Sequence, residues 1–297
     1  MAFQLTWKVE KEQKGMLLRD YLRTEKQISR RLLTDIKFSG GAIFCNQQEV
    51  NVRYLLQEGD MITIVFPNEI KSGMMQSTEM DLSILYEDEA LIVVDKPAGM
   101  PTIPSRLHPS HSLANGLLFY YETKRIPSTI HIVNRLDRDT TGLVLIAKHR
   151  FIHSILSEQQ KNNELQRTYE AFVEGNVTKD NGTIDLPIAR KESSIIERTV
   201  DPSGRRAITH FQVVKRYDDF THMRFSLETG RTHQIRVHMQ AVGHPLLGDE
   251  LYGGKTTYMK RQALHSQGAT LIHPLTQQKM TFVAPLPEDM QQMIKNR

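Results

Sequence analysis

Residues 81–297 contain many short, turn-bounded apolar segments typical of β-strands and few segments with the 3.6-residue period of helices. The predicted strands are Leu82–Tyr86, Ala90–Val94, Gly142–Ala147, Tyr169–Val173, Gly182–Leu186, Ala207–Val214, His222–Leu227 and Met280–Val283. Helices are predicted around 113–121, 149–160 and 232–242. Because the strands far outnumber helices long enough to cross between parallel strands, the pattern predicts an α+β fold. Its sheet should be mixed and largely antiparallel, with flanking helices.

The first 66 residues carry a separate pattern. Apolar spacing predicts a helix over 16–24, and Ser29 is placed to cap a second helix that the Gly40-Gly41 pair ends. Short strands are predicted at Ala42–Cys45, near Glu49–Val52 and at Met61–Phe66. The periodicity then disappears. We therefore predict a small α+β domain over 1–66, a linker over 67–80 and a larger domain over 81–297.

The composition narrows the class of protein. Cys45 is the single cysteine, which excludes an internal disulfide and a cysteine-based zinc site and fits a reducing cytoplasm. The first fifteen residues lack the apolar stretch of a secretory signal, and the longest aliphatic run, Leu143–Ala147, is far shorter than a membrane span. A net charge of +4 favours polyanionic partners weakly. We expect a cytoplasmic chain with no membrane segment.

Three familiar motifs are not matched by the sequence. The glycines at 253–254 resemble the end of a phosphate-binding loop, but Asp249 stands where that loop needs a glycine. His233 and His238 miss the i, i+4 spacing of a zinc-binding helix. The GxSxG pattern of serine hydrolases is absent from the sequence. We therefore predict no nucleotide cofactor, no metal site and no serine hydrolase chemistry.

Four charged side chains lie together just before the strand at 142–147: Arg135, Asp137, Arg138 and Asp139. An aspartate beside arginines stays ionised, as a nucleophile must and a general acid must not. This cluster is a candidate catalytic site. On spacing alone, a solvated turn of offsetting charges is the simpler interpretation.

A second cluster follows the strand at 222–227. A helix is predicted to begin with Arg231 near its N-terminus, where a cation opposes the helix dipole. Arg231 and His233, close to exposed backbone N–H groups, would suit a phosphate, and Arg236 could reach a buried carboxylate. The alternative is a surface helix with a basic face.

The N-terminal unit carries a basic excess between positions 19 and 37, where six Lys or Arg residues stand against three acidic ones. The pattern indicates a modest phosphate-contacting surface, although a solvated helix face fits the charges almost as well. The candidate RNA contacts are Arg19, Arg23, Lys26, Arg30, Arg31 and Lys37.

Two long segments resemble one known family. RLDRDTTGLVLIAK (135–148) resembles the catalytic motif of the RluA-type RNA pseudouridine synthases, and LETGRTHQIRVHMQAVGHPLLGDELYG (227–253) resembles their other hallmark. Segments 95–100, 168–175 and 261–265 with 273–274 match in the same order, so the resemblance spans about 82–287. Residues 16–66 are similar to the small RNA-binding domain named after ribosomal protein S-four. Asn134 and Thr141 stand where the family usually has His and Ser.

The resemblance implies roles for individual residues. Asp137 matches the catalytic aspartate, which either adds to the sugar of the target uridine or removes a sugar proton. Arg135 matches the arginine that enters the space left by the flipped nucleotide. Tyr169 matches the tyrosine that stacks on the base and is implicated in the proton removal that restores aromaticity, and Arg236 matches the basic partner of the aspartate.

The implied function is isomerisation of uridines in structured RNA, with large-subunit ribosomal RNA favoured over tRNA. The reaction has no redox change and no group donor, so we expect no cofactor and no metal. We expect a monomer that binds RNA. Two alternatives stay open: a catalytically silent RNA-binding or RNA-chaperone protein on the same scaffold, and an N-glycoside-cleaving enzyme that would release free uracil.

Overall fold

The computed structural model describes residues 3–69, 75–105 and 109–295, so residues 70–74 of the predicted linker lie outside the described residues. The strands are β1 (Gln4–Lys8), β2 (Ala42–Cys45), β3 (Gln48–Glu49), β4 (Met61–Val65), β5 (Ile84–Glu87), β6 (Leu91–Lys96), β7 (His131–Ile132), β8 (Thr141–Ala147), β9 (Gln166–Glu174), β10 (Asn181–Asp185), β11 (Ile188–Arg190), β12 (Arg198–Val200), β13 (Ile208–Arg216), β14 (Phe220–Leu227), β15 (Leu264–Ile272) and β16 (Lys279–Val283). The helices are α1 (Leu18–Thr24), α2 (Arg30–Phe38), α3 (Leu113–Thr123), α4 (Arg150–Lys161), α5 (Gln234–Ala241) and α6 (Glu288–Lys295). Within these three ranges, no helix is both long and apolar enough to cross a membrane.

The N-terminal unit is an antiparallel sheet with strand order β1-β4-β2-β3 and the helices α1 and α2. The predicted cap of α2 is confirmed, because Ser29 Oγ accepts a hydrogen bond from the backbone N–H of Leu32 at 3.2 Å. Gly40 ends the helix with a φ of +90°. The sequence analysis does not predict β1, an edge strand whose inward side chains, Leu5 and Trp7, are only half-buried.

The large sheet has ten strands in the order β10-β13-β14-β9-β15-β8-β6-β5, with β16 beside β15 and β7 beside β8. Among the described residues, all its neighbouring strands are antiparallel except β15 and β8. The predicted α+β fold with a mixed, largely antiparallel sheet is confirmed. All seven residues of β8 are buried, as expected for a central strand.

The sequence analysis misses β15, together with β11, β12 and α6. Buried His265 and Ser266 interrupt the apolar pattern of β15, so periodicity alone does not reveal a central strand. The strand passes very close to the start of β8. Gly142 there has a φ of +105°, and a Cβ at this position would lie 2.2 Å from the carbonyl oxygen of Ser266. Only glycine fits so close to β15. This contact sets the position of β8, the strand that follows the charged segment 135–139.

One hydrophobic core joins the N-terminal unit to the large sheet. Phe66, next to the end of β4, packs against His149 and Phe151 at the start of α4, with ring centroids 4.9 and 5.2 Å apart. Phe3 packs against Phe66 and His149, at 5.1 and 4.5 Å. The boundary between the two units is therefore an apolar interface.

Polar contacts close the same interface. Arg150 Nη1 donates to Asp35 of α2 at 2.7 Å. Glu69 accepts hydrogen bonds from the backbone N–H of Arg150 at 2.8 Å and from the hydroxyl of Ser128 at 3.1 Å, and it also pairs with His131. Burial alone would raise the pKa of Glu69, but the hydrogen bonds from His131 and Arg150 outweigh it and lower this pKa to about 2. Glu69 thus anchors the start of the predicted linker.

We expect Phe66→Ala to lower the free energy of unfolding by about 3–5 kcal/mol, because it opens a cavity in the shared core. Phe38→Ala is the matched control: Phe38 is 74% exposed, and its loss should change stability by less than about 0.5 kcal/mol. Urea unfolding is followed by the fluorescence of Trp7, the single tryptophan, and by circular dichroism. Separate transitions for the two probes in the wild type would contradict a shared cooperative core.

Candidate active site

An open cleft of about 640 Å³ lies where β9 and the end of β14 face the segment 132–138. Tyr169 and Leu227 line it from the sheet, and residues 101–103 and 230–232 line its edges. Its described lining has a single carboxylate, Asp137, and five arginines: Arg135, Arg138, Arg167, Arg198 and Arg231. Such a cleft attracts a polyanion.

Asp137 lies on the loop between β7 and β8, and the buried side chain of Lys96 holds the backbone of this loop. Lys96, at the end of β6, is completely buried. Its Nζ donates to the carbonyl oxygens of Pro97, Met100 and Arg138 at 2.8, 2.8 and 2.9 Å. Burial lowers the pKa of Lys96 to about 8, although the charges of Asp139 and Asp137 act in the opposite direction. One ammonium group thus joins two loops at the cleft.

Two further side chains hold the backbone around Asp137. The hydroxyl of Thr102 donates to the carbonyl oxygen of Leu136 at 2.7 Å and accepts from its N–H at 3.0 Å. Arg261 Nη1 donates to the carbonyl oxygen of Asp139 at 3.2 Å. Together with Lys96, these contacts restrain the residues on both sides of Asp137.

The two departures from the family pattern have structural partners. Buried Asn134 donates through Nδ2 to the carbonyl oxygen of Leu143 at 3.1 Å and accepts from the N–H of Leu145 at 2.8 Å. The hydroxyl of Thr141 lies 2.9 Å from Nδ1 of His265. Both residues connect the loop to the central strands, and neither lies at the carboxylate of Asp137.

Arg236, on α5, joins two carboxylates. Its Nη1 donates to Asp137 Oδ2 at 2.9 Å, while Nε and Nη2 donate to the two oxygens of Asp249 at 2.7 and 2.8 Å. Burial opposes the positive charge, but the hydrogen bonds and charges of Asp249 and Asp137 outweigh it and raise the pKa of Arg236. The guanidinium therefore stays charged beside Asp137.

Tyr169 and Arg135 face the same cleft from different elements. Tyr169 lies on β9, where it pairs with Phe225 of β14, and its hydroxyl accepts from Arg167 Nη1 at 3.4 Å. Its side chain is largely buried, with the cleft on one side. Arg135 is exposed on the loop of Asp137. The structure thus brings Arg135, Asp137 and Tyr169 to one cleft, with Arg236 behind the carboxylate.

Arg231 and His233 lie just before α5, which begins at Gln234 with His233 as its N-cap. Arg231 Nε donates to the carbonyl oxygen of Arg206 at 3.0 Å. His233 Nδ1 lies 2.8 Å from the hydroxyl of Tyr252, and its Nε2 lies 3.8 Å from Asp137 Oδ1. Their roles as RNA contacts stay predictions.

The six basic residues predicted in the N-terminal unit lie outside the cleft lining. Five of them have exposed side chains: Arg19, Arg23, Arg30, Arg31 and Lys37. Lys26 differs, since its ammonium lies over the rings of Trp7 and Tyr21, 5.7 and 5.1 Å from their centroids, and burial lowers its pKa. Lys26 is thus less available to a phosphate than the other five.

The sequence analysis assigned no role to Lys96, Thr102, Asp249 or Tyr252. Lys96 lies in the matching segment 95–100, and Asp249 and Tyr252 lie in the segment 227–253. The matching segments thus contain three of these residues, but the resemblance assigns them no role. Most of their partners lie 13 or more residues away in sequence and become visible only in the fold.

Comparison with known proteins identifies the family. Residues 90–241 match the family model described as RNA pseudouridylate synthase. YjbO of Bacillus subtilis, described as an uncharacterized RNA pseudouridine synthase, is 53% identical over 271 residues, which cover 91% of this chain and 96% of that protein. The chain belongs to the RNA pseudouridine synthases, which are isomerases that act on RNA.

Two further comparisons extend this result. Ribosomal large subunit pseudouridine synthase D of Haemophilus influenzae is 37% identical over 250 residues, covering 80% of this chain and 76% of that protein. The solved structure of human RNA pseudouridylate synthase domain containing 1 has a TM-score of 0.57 and 21% identity, covering 73% of this chain and 94% of that one, so it shares the fold. The similarity of residues 16–66 to the S-four domain stays a prediction.

Between pH 7 and pH 10, we expect the free energy of unfolding of the wild type to rise by about 2 kcal/mol relative to that of Lys96→Met. Folded Lys96 loses its proton at a pKa of about 8, whereas the unfolded lysine keeps it to about 10.4. The unfolded state therefore binds more protons in this range, and stability rises with pH. Urea unfolding at both pH values measures the difference. Lys161→Met is the control: its side chain is 71% exposed, so its unfolding free energy relative to the wild type should not change with pH. If the difference between the wild type and Lys96→Met does not change with pH either, Lys96 is not a buried ammonium.

Proposed function

We propose that the protein converts uridines of large-subunit ribosomal RNA into pseudouridine, with Asp137 as the catalytic aspartate. The observation that carries the assignment is the position of Asp137, which supplies the one carboxylate in the described lining of an arginine-rich cleft, 2.9 Å from buried Arg236. The ribosomal substrate is supported by the relatives described as large-subunit synthases.

The reaction breaks the bond between C1′ and N1 of uridine and forms a bond between C1′ and C5. C5 loses a proton and N1 gains one, so the mass of the RNA does not change. Asp137 acts on the sugar, by adding to it or by removing a proton from it, and either step needs an ionised carboxylate. Arg236 places a fixed positive charge 2.9 Å from this carboxylate.

Arg135 and Tyr169 serve the flipped nucleotide. A uridine must leave its stack before its C1′ and C5 can be reached, which costs a few kcal/mol. The exposed guanidinium of Arg135 can stack in the vacated space and bond to phosphate. The ring of Tyr169 offers the extruded base a stacking surface worth about 1–3 kcal/mol.

The N-terminal unit adds binding energy away from the chemistry. Its exposed cations on α1 and α2 can contact phosphates that the cleft does not reach. Contacts of this kind are the same in the ground state and the transition state, so they affect KM more than kcat.

The decisive experiment compares cells that lack the gene with cells that carry the wild type, Asp137→Asn or Asp139→Asn. Pseudouridines are mapped on total RNA as reverse-transcription stops after carbodiimide treatment. We expect stops in large-subunit ribosomal RNA to disappear without the gene and to return with the wild type and Asp139→Asn only. Asp139 is the matched control because it lies on the same loop and pairs with Arg138 on the protein surface.

The purified Asp137→Asn protein should bind the RNA within about tenfold of the wild-type Kd, since dispersed phosphate contacts carry binding. Activity of this variant within tenfold of the wild type would contradict the role of Asp137. Stops that change only in tRNA would overturn the ribosomal substrate. Release of free uracil would identify base cleavage instead of isomerisation.

We expect the double variant Arg30→Ala/Arg31→Ala to raise KM on a long structured RNA and to flatten its salt dependence, with kcat unchanged. Each lost phosphate contact should lower the salt slope by about 0.7–0.9. Lys11→Ala/Lys14→Ala removes the same charge from exposed side chains of the same unit outside α1 and α2. Steady-state kinetics at two salt concentrations make the comparison, and equal effects of the two pairs would show that only net charge matters.

A further inference from the structure

His233 lies beside the carboxylate of Asp137 on the side that Arg236 leaves free. Arg236 donates to Oδ2, whereas Nε2 of His233 lies 3.8 Å from Oδ1. The two side chains thus approach different oxygens of one carboxylate. The imidazole is largely enclosed, with a side-chain exposure of 10%.

Tyr252 determines which ring nitrogen of His233 carries the proton. Its hydroxyl oxygen accepts the backbone N–H of Arg198 at 2.9 Å and lies 2.8 Å from His233 Nδ1. If Nδ1 also donated to this oxygen, the hydroxyl proton would stay unpaired on a buried side chain, which is costly. The hydroxyl therefore donates to Nδ1, and the ring proton lies on Nε2, facing Asp137.

The backbone of His233 is strained. The residue is the N-cap of α5 and has φ 59° and ψ 20°, the left-handed conformation that favours glycine and asparagine. Its side chain makes no capping hydrogen bond that would compensate the strain. Glycine or asparagine would fit this backbone at least as well, so the conformation itself does not explain the imidazole.

We propose that His233 is a positioning residue whose Nε2–H, directed by Tyr252, holds the Oδ1 side of the Asp137 carboxylate. This inference rests on the proposed catalytic role of Asp137. In the free protein the two atoms are 3.8 Å apart, and contacts of this kind shorten when substrate fills a site. With Arg236 on Oδ2 and His233 on Oδ1, the plane of the carboxylate is fixed toward the sugar.

The ring performs this role as a neutral group. Burial lowers the pKa of His233, the charge of Asp137 opposes this shift, and the charge of Arg236 adds to it. A neutral imidazole orients the carboxylate without forming a second ion pair that would reduce its reactivity.

The test is the variant His233→Asn, because asparagine tolerates the left-handed backbone. We expect the free energy of unfolding to fall only slightly, because the easier backbone offsets part of the hydrogen bond that Tyr252 loses, with kcat at least about tenfold lower and KM little changed. His233→Gln, which brings back an N–H donor of similar reach, should recover part of the lost kcat. Turnover is measured as release of tritium from C5 of labelled uridine in the RNA.

Tyr252→Phe supplies the independent readout. It keeps the ring that packs 4.9 Å from the Arg236 guanidinium but frees His233 Nδ1, so kcat should fall by a smaller factor. Because Tyr252 acts through His233, the double variant with His233→Asn should be no slower than His233→Asn alone.

Three results would overturn the inference. A kcat of His233→Asn within twofold of the wild type would remove any positioning role. A raised KM with unchanged kcat would show that His233 contacts RNA and does not position Asp137. A loss of stability that parallels the loss of activity would show that the role of His233 is structural. Failure of the proposed function is distinct, since it appears as activity in Asp137→Asn whatever His233 does.

Discussion

The site depends on the hydrogen bonds that the buried guanidinium of Arg236 makes to two carboxylates. Its two-point contact with Asp249 fixes its plane, so that one remaining N–H points at Asp137. With Asp137 alone as a partner, the guanidinium could turn to a two-point contact that would occupy both oxygens of this carboxylate. Asp249 thus leaves Oδ1 of Asp137 without a contact from Arg236, and its own negative charge is buried.

The loop that bears Asp137 is irregular, but hydrogen bonds hold its backbone at several points. Lys96 and Thr102 come from the end of β6 and the loop after it, and Arg261 precedes β15. Each bonds to the backbone of a residue next to Asp137 or close to it. Binding sites on loops gain precision when side chains from the scaffold hold the loop backbone in this way. The glycine contact between β8 and β15 extends the same restraint into the sheet.

The fold class and most helices were predictable because they depend on local periodicity, as in α2 with its Ser29 cap. β15 was not, because His265 and Ser266 are buried polar residues whose partners lie on distant strands. The resemblance indicated Asp137, Tyr169 and Arg236, and the fold brings the first two to one cleft with Arg236 in contact with Asp137. It could not indicate what Lys96, Asp249 or Tyr252 do, since their partners are backbone groups or side chains that only the folded chain brings together.

The core that Phe66 shares with α4 sets where the N-terminal unit lies relative to the cleft. Because this packing fixes the N-terminal unit, the exposed cations of α1 and α2 cannot swing toward the cleft as they could on a flexible tether. The separation between these cations and Asp137 is a constant of the protein. If the proposed RNA contacts hold, an RNA that meets both surfaces must itself place phosphates and the target uridine at that separation, so the protein would select RNA by its tertiary structure.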